Sequence, residues 1–294
     1  MKPRSPKHLP IPRVLGFVLA TLALAAGATA VPYGAVAGAS PQAAEHRWVG
    51  PDLEVVPLTD DEILEFLRSA EIVERETINI GINGIDRLTL EQDGIRLRAG
   101  FRQVDRRERD QRVGDEFYLV FRDSYFFEPA AYQLARLLGI PSVPPAVLRR
   151  INGVDGSVQV WVEELFDKDD DTRSPDALGW ARQLWTMKFF DALIYNVDRN
   201  PGNLKVDHHY HLWMIDHTRA FQRKSSPFQP QYANHVSAEV WERLQSLQRE
   251  DFEAAFSGLL ETAEIKFFMD RRAAIIEHIN ALILERSRDA VIFQ

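Results

Sequence analysis

Residues 196–221 read NVDRNPGNLKVDHHYHLWMIDHTRAF, and this segment decides the fold that the sequence predicts. Its pattern is typical of a polar loop followed by a short hairpin. In an antiparallel hairpin, residues equally far from the turn lie opposite each other, roughly 5 Å apart. A turn centred on His209 and Tyr210 therefore places Asn203 opposite Asp216.

Three side chains of this segment suit a metal and phosphate site. The amide oxygen of Asn203 and the carboxylate of Asp216 are hard oxygen ligands of the kind that Mg²⁺ or Mn²⁺ prefers. Asp198 lies five residues before Asn203 and reaches the same place as a base or an orienting group. The spacing D-x-x-x-x-N, then a hairpin, then Asp is the phosphotransfer layout of kinases. The alternative is a turn whose Asp and Asn side chains bond only to local backbone.

The chain before this segment predicts a β-rich region. TDDEILEFLRSAEIV begins with a capping box, Thr59 with Glu62, and indicates a short helix. Residues 78–104 alternate apolar and polar side chains, with turns at residues 81–84 and 92–94, which predicts a hairpin. In the second strand Ile95, Leu97, Ala99 and Phe101 face one side, and Arg96, Arg98, Gly100 and Arg102 face the other.

Two further elements complete this half, and helices follow. A helix opens at Glu128-Pro129, since proline fits the first helical position, and ends at Gly139. Two strands are predicted next, at residues 147–150 and 157–163. After an acidic stretch the sequence predicts a long helix capped by Ser174-Pro175 and ending near residue 195. The chain from Ser237 onward is predicted to be helical, and its last helix spans residues 262–286.

The N-terminus predicts an export signal. Four basic residues precede an apolar run at residues 14–26 and a small-residue stretch that ends at Ala30. Cleavage there, with a periplasmic or extracellular location, is the interpretation we favour over an uncleaved membrane anchor. Removing residues 1–30 shifts the net charge from −8 to −12, which argues against nucleic acid as a partner.

Several other protein classes are excluded by composition and motifs. The chain has no cysteine, so it has no disulfide, thiolate zinc site or cysteine nucleophile. It also lacks the G-x-S-x-G, H-E-x-x-H, Walker and dinucleotide-binding motifs.

NVDRNPGN followed by MIDH resembles the catalytic and metal-binding loops of the phosphoinositide 3/4-kinase-like superfamily and its atypical protein-kinase relatives. FFEPAAYQLARLLGIPSVPPAVLRR, residues 126–150, resembles the Glu-bearing helix and following strands of uncharacterised bacterial members. The resemblance covers residues 58–293. It implies an α+β, two-lobed kinase-like fold, with a small β-rich lobe carrying one helix and a larger, mainly helical lobe. The implied organisation is a signal peptide at 1–30, a linker at 31–57, and lobes at 58–164 and 165–294.

The resemblance also implies residue roles. Asp198 would be the catalytic base, Asn203 and Asp216 the metal ligands, and Glu128 the acidic partner of a phosphate-binding cation. The family usually has lysine as that cation, whereas this chain has Arg102, a planar fork rather than a compact ammonium.

Four further residues are candidates for nucleotide binding. Gly81, Asn83 and Gly84 are predicted to cover phosphates, although a glycine-rich turn is often only a turn. Gly100 leaves room for a base beside it, and residues 163–165 are the expected hinge between the lobes.

The expected activity is transfer of the γ-phosphoryl group of ATP, with Mg²⁺ or Mn²⁺, to a protein, a lipid head group, a sugar or a metabolite. Because export would bring the domain to a compartment poor in ATP, the alternative is an exported pseudokinase that binds without turnover.

Overall fold

The computed structural model describes residues 48–78, 84–163, 176–207 and 209–294. In these residues the predicted α+β, two-lobed architecture is confirmed. The helices are α1 (Asp60–Ser69), α2 (Phe127–Leu138), α3 (Ala177–Ile194), α4 (Ala238–Ser246), α5 (Arg249–Ala255) and α6 (Thr262–Arg286). The strands are β1 (Glu71–Ile78), β2 (Ile85–Gln92), β3 (Ile95–Arg102), β4 (Asp105–Val113), β5 (Glu116–Ser124), β6 (Ala146–Ile151), β7 (Val154–Val160), β8 (Leu204–Val206), β9 (Leu212–Met214), β10 (Val236–Ser237) and β11 (Ile292–Phe293).

The small lobe is built on a five-stranded antiparallel sheet in the order β1-β2-β3-β7-β6. The predicted alternation of β3 is confirmed, because Leu97, Ala99 and Phe101 are buried on one face. Helices α1 and α2 pack on β6 and β7. The opposite face of β3 therefore carries Arg102 away from this core.

Helix α1 begins as the sequence predicts and ends earlier. The Thr59 hydroxyl accepts from the Glu62 N–H, and the Glu62 carboxylate accepts from the Thr59 N–H, so the capping box is confirmed. The sequence pattern continues the helix to Val73, but the structure ends it at Ser69 and begins β1 at Glu71. Strand β1 is mostly exposed, so it lacks the alternation that identifies a half-buried strand.

Helix α3 is capped by Asp176, whose carboxylate accepts from the Gly179 N–H at 3.0 Å. The predicted cap, Ser174-Pro175, lies outside the described residues. Helix α2 ends at the predicted glycine, Gly139, which has a φ of 73°. That left-handed conformation favours glycine.

The register of the β8–β9 hairpin differs by one residue from the prediction. Leu204 lies opposite Met214. The N–H of Ile215 then donates to the carbonyl of Asn203 at 3.2 Å. Asn203 is thus opposite Ile215, and its predicted pairing with Asp216 is wrong.

The shift has its cause in the turn. The predicted turn has a two-residue centre, whereas the loop between Asp207 and His211 has three residues. The Asp207 N–H donates to the His211 carbonyl at 3.1 Å, and Asp207 Oδ1 accepts from the N–H groups of His209 and His211, each at 2.9 Å. Tyr210 takes a left-handed φ of 59°, which is typical of the last residue in a three-residue hairpin loop.

Residues 48–57, which belong to the segment predicted as linker, include buried side chains. Trp48 is 3% exposed, and its ring centroid lies 4.9 Å from that of Trp213 on β9. Val56 is also buried, although both residues fall in the segment predicted as linker. In the described part of the chain, no helix combines the length and apolar character needed to span a membrane.

Candidate active site

A cavity of about 390 Å³ opens between the small-lobe sheet and the β8–β9 hairpin. Six of the predicted site residues line it: Gly84, Gly100, Arg102, Asp198, Asn203 and Asp216. Glu128 is fully buried in the first turn of α2 and reaches the cavity through Arg102. Gly81 and Asn83 lie outside the described residues. The structure thus gathers the predicted phosphate and metal residues around one space.

Arg102 joins two acidic side chains at the centre of the site. Its Nε lies 3.4 Å from Glu128 Oε1, and its Nη2 lies 3.2 Å from Asp216 Oδ2. The second oxygen of Asp216, Oδ1, accepts from the Thr218 hydroxyl at 3.2 Å. Asp216 follows the hairpin with a left-handed φ of 59°, a conformation that Asp tolerates better than most residues.

Glu128 is held by several partners besides Arg102. Its carboxylate accepts from the backbone N–H of His217 at 3.1 Å and from Gln159 Nε2 at 3.3 Å. His217 Nε2 lies 3.0 Å from Nη2 of Arg199. Because a guanidinium can only donate, this ring nitrogen accepts, and the proton is on Nδ1, 3.4 Å from Glu128 Oε2. His217 therefore also directs its Nδ1–H towards Glu128.

The two central carboxyl groups have pKa values displaced in opposite directions. Burial alone would raise the pKa of Glu128, but hydrogen bonds from His217 and the positive charge of Arg102 bring it below its usual value. For Asp216, burial raises the pKa above its usual value; the nearby Glu128 and Asp198 add to the rise, and Arg102 offsets part of it. Asp216 thus lies where additional positive charge is favourable.

The loop that carries Asp198 is fixed by Arg199. The Arg199 guanidinium donates to both carboxylate oxygens of Asp191 on α3, each at 2.9 Å, and to the carbonyls of Asn203 and Ile215, each at 2.8 Å. Arg199 therefore braces the loop and the open end of the hairpin. The Asn203 side chain adds a bond from Nδ2 to the Asp198 carbonyl at 2.8 Å.

Two cations that line the cavity, Lys205 and Arg219, were not predicted from the sequence. Arg219 lines the cavity, and its Nη1 donates to Asp198 Oδ2 at 3.2 Å. Its Nε donates at 2.9 Å to Asp123, a buried residue of β5. The only sequence signal was a basic residue three positions after Asp216. Gln159, which lies opposite Gly100 on β7, was missed as well.

Solved structures match this chain in fold, whereas no protein-family model and no curated protein sequence matches it. A Fam20 protein from hydra, solved with sugar, aligns with a TM-score of 0.61 and 15% identity, over 79% of this chain and 91% of that one. The Golgi casein kinase with Mn and ADP bound aligns with a TM-score of 0.59 and 16% identity, over 82% and 80%. CtkA, a proinflammatory kinase of Helicobacter pylori, aligns with a TM-score of 0.50 and 12% identity, over 75% and 98%.

The chain has an atypical kinase fold. Because the identities are between 12 and 16%, this likeness establishes the fold alone. The location of the cavity, between the lobes of that fold, makes it the candidate active site.

The donor set of the candidate site fits a hard divalent cation. In the described part of the chain, no three His, Cys, Asp or Glu side chains cluster so as to hold a metal ion. Mg²⁺, however, commonly takes one or two carboxylates and completes its shell with water and phosphate oxygens. Because Asn203 Nδ2 is bonded to a carbonyl, which can only accept, Oδ1 is the amide atom left for a cation. Asp216 and Asn203 are therefore the residues that would hold it.

One end of the cavity is apolar. Ile85, Trp161 and Val162 line it, and Gly100 lies between the first two. A Cβ on Gly100 would lie 2.7 Å from Ile85 Cδ1 and 3.7 Å from Trp161 Cε3. The small residue thus keeps this end open. Of the predicted hinge only Glu163 is described; its carboxylate is paired with Arg98 at 3.2 Å.

Proposed function

We propose that this protein is a kinase that transfers the γ-phosphoryl group of ATP to a hydroxyl acceptor with Mg²⁺ or Mn²⁺. The observation that carries the proposal is the convergence of Asp198, Asn203, Asp216 and Arg102 on one cavity with an apolar end. Its volume, about 390 Å³, falls in the range of small-molecule sites. The resemblance to the phosphoinositide 3/4-kinase-like superfamily supports the same roles for Asp198, Asn203 and Asp216.

Each side chain has a distinct task in this proposal. The apolar end receives the base, and the guanidinium of Arg102 grips the phosphates, held in place by Glu128. Asp198 orients the acceptor hydroxyl and accepts its proton. Asp216 and Asn203 hold the divalent cation, which would neutralise charge that develops on the phosphates. Mn and ADP in the Golgi casein kinase structure support this choice of cofactors.

Measurements of ADP release and of nucleotide binding together test the proposal. ADP release with Mg²⁺ or Mn²⁺ should fall about a hundredfold to ten-thousandfold in Asp198→Asn. Asp216→Asn should lose most of the divalent-metal dependence of nucleotide binding. The matched control is Asp155→Asn, an exposed carboxylate on β7, which should behave as the parent protein. A parent protein that releases ADP as slowly as Asp198→Asn would contradict a kinase.

The acceptor class requires separate measurements. The hydra Fam20 protein was solved with sugar, and the Golgi enzyme is a casein kinase. We therefore expect transfer of radiolabelled phosphate from ATP to be measurable with a sugar, a protein, a lipid head group or a small metabolite. Labelling of one class that disappears in Asp198→Asn would identify the acceptor.

A binding module without turnover is the second candidate function. It is favoured by the arginine at position 102 and by the engagement of both Asp216 oxygens, one with Arg102 and one with Thr218. A thermal-shift measurement detects ATP binding whether or not turnover occurs, since a ligand at about 100 times its Kd stabilises the folded protein by about 2.7 kcal/mol. Stabilisation by ATP without ADP release in any condition would establish the binding module.

Export belongs to the proposal as well. The basic residues before the apolar run predict that the chain after Ala30 crosses a membrane. A reporter fused after Ala44 should be active only outside the cytoplasm. Cytoplasmic activity of the fusion would contradict export and remove the conflict with the supply of ATP.

A further inference from the structure

Arg102 is paired with an Asp216 oxygen that a divalent cation would need as a ligand. Its Nη2 lies 3.2 Å from Asp216 Oδ2, and the Arg102 side chain is only 18% exposed. The remaining oxygen of Asp216 accepts from Thr218. Both oxygens of the proposed metal-binding carboxylate thus have partners among the chain's own side chains.

Simultaneous binding of the Arg102 guanidinium and a metal ion to Asp216 is electrostatically unfavourable. A Mg²⁺ ion held by Asp216 would lie about 2.0–2.1 Å from the carboxylate oxygen. It would face the positive charge of Arg102 across a few ångströms in a half-buried site, where repulsion is weakly screened. The two cations therefore compete for Asp216.

Phosphate is a stronger partner for the same guanidinium. An arginine fork binds phosphate with two parallel hydrogen bonds, and such charge-assisted bonds are among the strongest in proteins. Glu128 keeps its other contacts with His217 and Gln159, so it stays fixed when the fork turns. Nucleotide phosphates can then draw Nη2 from Asp216 while Nε remains beside Glu128.

We infer that Arg102 makes metal binding conditional on nucleotide: it covers Asp216 in the nucleotide-free site and releases it when its fork moves to the phosphates. This inference rests on the proposed function, because it takes Asp216 as the metal ligand and ATP as the nucleotide. It also gives a function to the arginine at position 102, where lysine is usual in the family that the sequence resembles. The fork contacts Glu128 and Asp216 with different nitrogens, whereas the ammonium of lysine is a single point charge.

The inference predicts effects of opposite sign in one variant. The full chain is titrated with Mn²⁺ alone, read from the EPR signal of free Mn²⁺, and with ATP in excess EDTA, read by calorimetry. Arg102→Ala should bind Mn²⁺ alone about tenfold more tightly than the parent, because Asp216 is uncovered. The same variant should bind ATP without metal about tenfold more weakly, because the phosphates lose their fork.

Two further variants locate the effect. Asp216→Asn added to Arg102→Ala should abolish the gain in Mn²⁺ affinity. Arg96→Ala is the matched control, since Arg96 lies on the same strand and face but pairs with Glu74 and Glu91 outside the cavity; neither affinity should change. If Arg102→Ala fails to fold, Arg102→Lys keeps a cation beside Glu128 and should still gain Mn²⁺ affinity.

The outcomes separate this inference from the proposed function. Mn²⁺ affinity in Arg102→Ala that equals or falls below that of the parent would overturn the competition. A gain that survives Asp216→Asn would overturn the assignment to Asp216. A parent protein that fails to bind ATP with or without Mn²⁺ would overturn the proposed function, and the Mn²⁺ titrations would still decide the competition.

Discussion

Arg219 connects the proposed base to the small-lobe hairpin β4–β5. Its guanidinium bonds Asp198 and the buried Asp123, so the orientation of Asp198 depends on a strand that is far from it in sequence. Burial alone would lower the pKa of Arg219, but the hydrogen bond and charge of Asp123 raise it above its usual value. Arg219 therefore keeps its charge and its position.

We expect Arg219→Met to lower the rate of ADP release by tenfold or more, at the order of magnitude that misplacement of a catalytic group causes. KM for ATP should change less, because Arg102 still binds the phosphates. Arg219→Lys should recover part of the rate. Arg223→Met is the control in the same loop, since Arg223 pairs with Glu261. An equal loss in Arg223→Met would show that only loop stability matters.

Asp86 lies on β2, two residues after Gly84, the last residue of the segment predicted to cover phosphates. It lies opposite Thr77, and its carboxylate accepts from Thr77 Oγ1 at 2.7 Å and from Arg75 at 2.6 Å. Burial alone would raise its pKa, but the Thr77 bond and the bonds and charge of Arg75 bring the pKa below the ordinary 3.8. A carboxyl whose pKa is depressed by folding stabilises the protein above its unfolded pKa.

Asp86→Asn should therefore melt at a lower temperature than the parent protein at neutral pH. The difference should narrow as the pH falls from about 3.8 towards the lower pKa of the folded protein, because the carboxyl is then protonated first in the unfolded chain and afterwards in the folded one. Melting curves of both proteins between pH 3 and 7 measure this. Asp93→Asn, in the β2–β3 turn, is an exposed control. A gap between Asp86→Asn and the parent that does not vary with pH would contradict the ionic role of Asp86.

At the scale of elements, local patterns predict those parts of the fold that local forces determine. The capping box of α1, the glycine end of α2 and the bounds of α6 follow from side chains within a few residues. The strands β4 and β5 were not predicted. DRRERDQRV is almost entirely polar and mostly exposed in β4, so its stability comes from cross-strand pairing rather than from a buried face.

The β8–β9 hairpin shows why the sequence predicted which residues form the candidate site but not their relative positions. The residue types gave Asp198, Asn203 and Asp216, and all three line one cavity. Their register depended on one extra residue in the loop after Asp207, and a shift of one residue inverts the facing of every side chain. Arg102 facing away from the core of the sheet was predictable from alternation, but its contact with Asp216 was not.

Arg199 is expected to determine the stability of this hairpin. In Arg199→Met, Asp191 keeps a buried charge without its main partner, and two carbonyls lose a donor. Breaking a buried pair in this way costs about 3–5 kcal/mol, which lowers the Tm by about 10 °C for a domain of this size. Thermal unfolding followed by circular dichroism measures the loss. A Tm within about 2 °C of the parent would contradict the bracing role.

At the scale of the whole molecule, one buried cation links the large lobe to the site. Arg271 on α6 has no exposed surface, and its guanidinium donates to the carbonyls of Leu193, Gln222 and Lys224. Leu193 lies in the last turn of α3, just before the loop that carries Asp198, and the other two follow the segment that carries Asp216. Gln222 in turn donates to the Arg122 carbonyl on β5 at 2.6 Å, so the link extends to the small lobe.

Arg271→Leu should therefore destabilise the protein more than loss of an exposed arginine does. Leucine fills much of the volume but leaves three carbonyls without their donor, and each buried polar group left unsatisfied costs about 1–3 kcal/mol. The Tm should fall by about 10 °C or more, and nucleotide affinity should fall with it, because the segments on both sides of the cavity lose a common anchor. Arg249→Leu, whose exposed guanidinium pairs with Glu253 four residues on, is the control and should shift the Tm by no more than about 2 °C. If Arg271→Leu and Arg249→Leu melt together, the stability of the large lobe comes from its apolar core alone, and Arg271 does not join the helices to the site.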